Sequence, residues 1–127
     1  MSYKQILLIE DDEADQRIFS TVLQSMGRDF FCTIVDDAGE ALDKLENGDI
    51  TPDLIFLDMR MPGMTGLEFL TALRHNDALR EIPAIVLAGL LNEDDRRETK
   101  NLGALDYIIK PTRYSELRTI LSSILVS

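Results

Sequence analysis

Five short apolar runs alternate with segments of helical periodicity along this 127-residue chain, and that alternation leaves few architectures open. The runs are Ile6–Ile9, Phe30–Val35, Leu54–Leu57, Ala84–Leu87 and Tyr107–Ile109. Unbroken apolar stretches of this length fit strands covered on both faces, as in a parallel sheet. The first helical segment, Ala14–Met26, places Ile18, Val22 and Met26 on one stripe with Phe19 and Leu23 beside it, and Gly27 can stop it. Ala38–Asn47 carries Ala41, Leu42 and Leu45 and ends before Gly48. Thr65-Gly66-Leu67-Glu68 has the pattern of a capping box opening a third helix. Asn92 can cap a charged fourth helix that Gly103 closes, and Thr112 can cap a fifth with Leu117, Ile120, Leu121, Ile124 and Leu125 as its apolar face. Strand and helix thus alternate five times, which predicts an α/β, doubly wound parallel sheet with right-handed crossovers.

Charge removes several functions. There are 13 basic and 23 acidic residues, a net charge of −10, which repels nucleic acid and anionic membranes. The only basic pair, Arg96-Arg97, is flanked by Glu93, Asp94, Asp95 and Glu98 and reads as a solvated helix face. No apolar run nears the roughly 20 residues needed to cross a bilayer. The first residues show no secretory signal, so a cytoplasmic location is expected. The single Cys32 cannot form an internal disulfide and reads as a small buried hydrophobe. The lone His75 cannot build a metal site by itself and reads as a surface residue. No Walker A, G-x-S-x-G or G-x-G-x-x-G pattern occurs, and the loop Glu10-Asp11-Asp12-Glu13 would repel a flavin phosphate.

In open α/β sheets ligands sit at the carboxyl ends of the strands. Glu10, Asp11 and Asp12 follow the first run, Asp58 the third, and Lys110-Pro111 the fifth. Crowded carboxylates raise one another's pKa, and a hard divalent cation relieves that repulsion. A carboxylate can attack phosphorus to give an aspartyl phosphate. On this chemistry Asp58 is the nucleophile, Glu10 and Asp11 hold the metal, and Lys110 meets phosphate oxygens. Each residue alone also has a plain structural reading: Asp12 as a helix cap, Asp58 as a loop residue, Lys110 as a surface lysine. Their joint placement at three strand ends favours the site.

Four blocks of sequence resemble the receiver-domain family of bacterial response regulators. They are Ile6–Asp12, Pro52–Gly66 with its Asp58-Met59-Arg60-Met61-Pro62-Gly63, Ile82–Leu87, and Gly103–Pro111 ending in Lys110-Pro111. The resemblance spans nearly the whole chain. It implies a CheY-like, flavodoxin-like, five-stranded sheet of order 2-1-3-4-5 with five helices, residues 1–127 forming one receiver domain with no output domain in this stretch. It further implies that Asp58 accepts a phosphoryl group from a histidine kinase or phosphotransfer protein, with Mg²⁺ as cofactor. Asp11 and Asp58 would bind the metal directly, Glu10 through water, and Arg60 through its backbone carbonyl. Lys110 would contact the phosphoryl oxygens, Tyr107 occupies the switching aromatic position, and Arg60 and Leu90 occupy positions that tune phosphoryl lifetime. The Leu90-Leu91 pair would either pack the loop onto the fourth helix or limit the access of water. The family pattern allows a cis Lys110–Pro111 bond. The chain would be a phosphoacceptor that assists its own phosphorylation and dephosphorylation rather than an enzyme. Its output would pass to a protein target, or to a second copy, through the fourth helix, fifth strand and fifth helix.

One departure stands out. The family carries Ser or Thr at the end of the fourth strand, where this chain has Ala88 followed by Gly89. Without the hydroxyl, a hydrogen bond to the phosphoryl group, worth about 1.5–3 kcal/mol, is missing. This leaves open an alternative function: a degenerate receiver that binds its partner without phosphorylation.

Overall fold

The computed structural model describes residues 3–27 and 29–126. Five strands, β1 (Gln5–Ile9), β2 (Phe31–Val35), β3 (Leu54–Asp58), β4 (Ala84–Ala88) and β5 (Asp106–Ile109), pair in parallel in the order β2-β1-β3-β4-β5. The helices between and after them are α1 (Glu13–Met26), α2 (Ala38–Glu46), α3 (Gly66–Arg74), α4 (Glu93–Asn101) and α5 (Tyr114–Leu125).

Strand alternation sorts the core into two layers. Leu7, Ile9, Ile55, Leu57 and Val86 face α2 and α3, meeting Ala41, Leu45, Phe69, Leu70 and Leu73. Ile6, Leu8, Leu54, Phe56, Ile85 and Leu87 face α1 and α5, meeting Phe19, Val22, Leu23, Leu117 and Leu121. Phe19 meets Phe56 edge-on with ring centroids 5.1 Å apart. Each such buried side chain contributes roughly 1.5–3 kcal/mol by leaving water. Coverage on both faces holds for β3 and β4 and for β1 beyond Gln5. It fails for β2 and β5, which lie at the sheet edges, beyond full reach of the helical layers; Phe31 is 65% exposed.

Local chemistry sets the helix starts. Asp12, Asp37 and Asn92 accept from the backbone N–H three residues on, at 3.0, 2.8 and 3.0 Å. Thr65 and Glu68 form the expected capping box. Thr112 does not cap α5: the helix begins at Tyr114, its N-cap is Arg113, and no side chain bonds its first amides. The α1 stripe is also rotated from expectation. Phe19, Val22 and Leu23 are buried, whereas Ile18 is 43% exposed, because the helix turns its 19–23 face toward β1, β3 and α5.

Two polar staples hold the frame. Asp53 accepts from the Lys4 and Gln5 amides at 2.9 and 2.8 Å, tying the start of β1 to the approach to β3, and these bonds hold its carboxyl below the usual range. Arg74 at the end of α3 donates to four carbonyls: Leu102 (2.8 Å), Arg80 (2.7 Å), Ile82 (2.9 Å) and Gly103 (3.2 Å). It thereby joins the segments leading into β4 and β5. Gly103 itself sits at φ +81°, a left-handed geometry that favours glycine.

Candidate functional site

Parallel register brings the strand ends together. Ile9 lies beside Leu57, so the next residues, Glu10 and Asp58, emerge as neighbours. Asp58 pairs with Leu87, and Ala88 with Ile109, so Ala88 and Lys110 border the same crevice. Backbone bonds continue past the strands: Met59 N–H donates to Leu87 C=O at 2.8 Å, and Lys110 N–H to Ala88 C=O at 2.7 Å. The loop after Asp58 closes where Gly66 N–H donates to Met59 C=O at 3.2 Å. A Cβ on Gly66 would lie 3.1 Å from the Met59 backbone, so glycine lets α3 start close against that loop, and a larger residue would push the two apart by a few tenths of an ångström.

Three carboxylates meet in this crevice. Glu10 and Asp58 are buried, Asp11 is exposed, and all three offer oxygens within 4.8 Å of one another. Asp58 Oδ1 accepts from the Arg60 amide at 3.2 Å. Glu10 Oε2 accepts from the Asp12 amide at 3.2 Å, and the Glu10 carbonyl from Gln16 Nε2 at 2.7 Å. Lys110 Nζ reaches Glu10 Oε1 at 2.9 Å, Asp15 Oδ2 at 3.0 Å and Asp58 Oδ2 at 3.2 Å. Burial pushes the Glu10 carboxyl up to about 7, with Asp58 adding to the rise and Lys110 opposing it. Burial alone would lower the Lys110 ammonium, but its bonds to Glu10 and Asp15 and the nearby carboxylate charges leave it above its ordinary value. One lysine thus serves a buried pair of acids, and an excess of negative charge persists. Hard oxygen ligands, close spacing and uncompensated charge fit a divalent cation such as Mg²⁺.

The remaining positions line the rim. Ala88 is buried at the end of β4 and presents only a methyl group. Tyr107 is half-buried, and its hydroxyl donates to the Leu90 carbonyl at 3.3 Å. The Leu90 and Leu91 side chains are 83% and 56% exposed, so the loop does not bury them against α4. The Arg60 side chain turns outward to Asp95 at the start of α4, 3.2 Å away. No cis peptide bond occurs among the described residues, so Lys110–Pro111 is trans. Cys32 is half-buried in edge strand β2, away from the crevice, and burial pushes its thiol up to about 12. His75 ends α3 at the surface. Asp15 and Gln16 were not singled out in the sequence. They lie at the start of α1, and no sequence signal tied them to the strand-end residues.

A doubly wound sheet with acids after its first and third strands and a lysine after its fifth defines a class of phosphate- and metal-handling α/β domains. Residues 6–122 match the response regulator receiver domain, and the chain belongs to that family. It is 32% identical over 120 residues to the cyclic di-GMP phosphodiesterase response regulator RpfG of Xanthomonas campestris, covering 94% of this chain and 31% of that one. The chain spans between 31% and 48% of the length of the first curated relatives it matches. The Mn²⁺-bound form of the response regulator Rcp1 superposes with a TM-score of 0.89 at 31% identity, covering 98% of this chain and 96% of that one. The phosphorylated cyanobacterial phytochrome response regulator RcpA gives 0.88 at 32% identity, covering 97% and 91%. The protein is therefore a two-component signalling receiver, and such domains bind a divalent metal in an acidic pocket of this kind. No helix among the described residues is long and apolar enough to cross a membrane.

Proposed function

We propose that Asp58 takes a phosphoryl group from a histidine kinase or phosphotransfer protein in a Mg²⁺-dependent reaction. The observation that carries this reading is the placement of Lys110 Nζ 3.2 Å from Asp58 Oδ2, in a pocket whose acids pair with no other cationic side chain among the described residues. An Asp58 carboxylate oxygen forms the new bond to phosphorus as the bond from phosphorus to the donor breaks, the electron pair leaving with the donor. Glu10, Asp11, Asp58 and the Arg60 carbonyl would hold Mg²⁺, which supplies charge neutralisation for the phosphoryl oxygens. Lys110 donates to a phosphoryl oxygen. Arg60 and Leu90 flank the opening, where they tune how readily water removes the group. The chain acts as acceptor, not as an enzyme on an outside substrate. Output passes to a protein partner or second copy across α4, β5 and α5, where Leu105 and Ile109 are exposed. The charge of −10 argues against nucleic acid as that partner.

Ala88 favours a second reading, a receiver that binds its partner unphosphorylated. Intact-mass analysis after incubation with Mg²⁺ and a small acyl phosphate separates the two. A single phosphoryl adduct, absent in Asp58→Asn and in chelator, is expected. A folded, metal-binding protein that takes no adduct would overturn the phosphoacceptor reading in favour of the second.

A further inference from the structure

An ammonium group has three N–H donors, and in this structure three carboxylates lie around that of Lys110: Glu10, Asp58 and Asp15. The first two belong to the group of acids that can hold a metal; Asp15 does not. Asp15 sits on α1, two residues into the helix, with its side chain 41% exposed. A cation arriving between Glu10 and Asp58 takes the electron density that Lys110 now shares, and it repels the ammonium. Asp15 is the one partner of Lys110 that lies outside the metal-capable group.

We infer that Asp15 is a positioning residue: it gives Lys110 a seat to fall back on when a divalent cation occupies Glu10 and Asp58, and so lowers the cost of exchanging a lysine for a metal. The inference deepens the metal-dependent reading of this pocket and rests on it. Without Asp15 the ammonium has only the metal's own ligands to pair with. It then competes with the metal for them, and in the metal-bound state it is left without a carboxylate partner. The effect runs through Lys110, which separates it from the general attraction that any acid exerts on a cation.

The test is Mn²⁺ titration followed by calorimetry, needing no phosphoryl chemistry. Asp15→Asn should weaken Mn²⁺ binding by roughly tenfold, as loss of a group orienting a metal site does. Glu13→Gln removes the same charge from the same end of α1, an exposed side chain with no hydrogen bond or ion pair to the pocket among the described residues, and should cost about twofold or less, as a screened surface charge does. In a Lys110→Met background, shown folded by circular dichroism, Asp15→Asn should fall to that same small effect. Equal losses in Asp15→Asn and Glu13→Gln would overturn the inference, and that comparison stands even if Lys110→Met does not fold. No Mn²⁺ binding by the unaltered protein would overturn the metal reading and this inference with it, whereas binding with equal losses overturns only the role of Asp15.

Discussion

The guanidinium of Arg60 lies 3.2 Å from the Asp95 carboxylate, joining the loop after β3 to the first turn of α4. Arg60 is mostly exposed and Asp95 mostly covered, so the pair works at the surface, where ion pairs contribute little. Arg60→Ala, Asp95→Asn and the double variant should therefore each cost about 1 kcal/mol or less in urea unfolding. The coupling between them in a double-mutant cycle should be of the same size. A coupling well above that would make this contact a structural anchor and not a surface tie.

Ala88 lies at the border of the crevice with only a methyl group to offer. In Ala88→Thr the added hydroxyl faces the same opening, and its bond to a phosphoryl oxygen should shift the phosphorylated protein toward its switched state by about tenfold or more. Hydrogen exchange along α4 and β5, recorded with and without phosphodonor, reads the shift. Identical exchange in the two proteins would remove Ala88 as a cause of altered coupling.

Glu10 gives the pocket a pH signature. Its folded-state value, about 7, is raised above the ordinary 4.5, so its contribution to stability is full below 4.5 and is lost as pH rises through 7. In chelator, the melting temperature of the unaltered protein should decline between pH 5 and pH 8 more steeply than that of Glu10→Gln. At pH 8 Mg²⁺ should stabilise the unaltered protein more than the variant, because the metal binds the ionised form. Parallel pH profiles for the two proteins would remove Glu10 as the source.

Arg74 is a stability prediction independent of function. Its four carbonyl partners span the segments leading into β4 and β5. Arg74→Ala should cost about 1–3 kcal/mol in urea unfolding, since four carbonyls, those of Leu102 and Ile82 in part-buried bonds, lose a charged donor. Arg74→Lys should recover little, because a single ammonium cannot reproduce the planar fork.

The sequence was most legible where strand ends coincide with changes in residue chemistry. Asp58, Glu10 and Lys110 each follow an apolar run, and parallel pairing forces those ends into one crevice. Asp15 was not legible, because its partner Lys110 is 95 positions away and only the folded sheet brings the start of α1 and the residue after β5 together. Arg74 was hidden for the same reason: an arginine at a helix end looks like a surface charge until the loops that wrap it are known. The misplaced cap at Thr112 and the exposed Ile18 have a different origin. Periodicity identifies a helix well, but it fixes neither the first residue nor the rotation about the helix axis to better than a residue or so.

Lys110 also changes what the pocket is before any metal reaches it. The acids already hold a counter-ion that is attached to the protein by its own chain. A free cation can be diluted or exchanged away; a tethered one stays at the same local concentration whatever the surrounding solution contains. Metal binding is therefore a contest with an internal rival, and its outcome depends on where the chain lets that rival retreat.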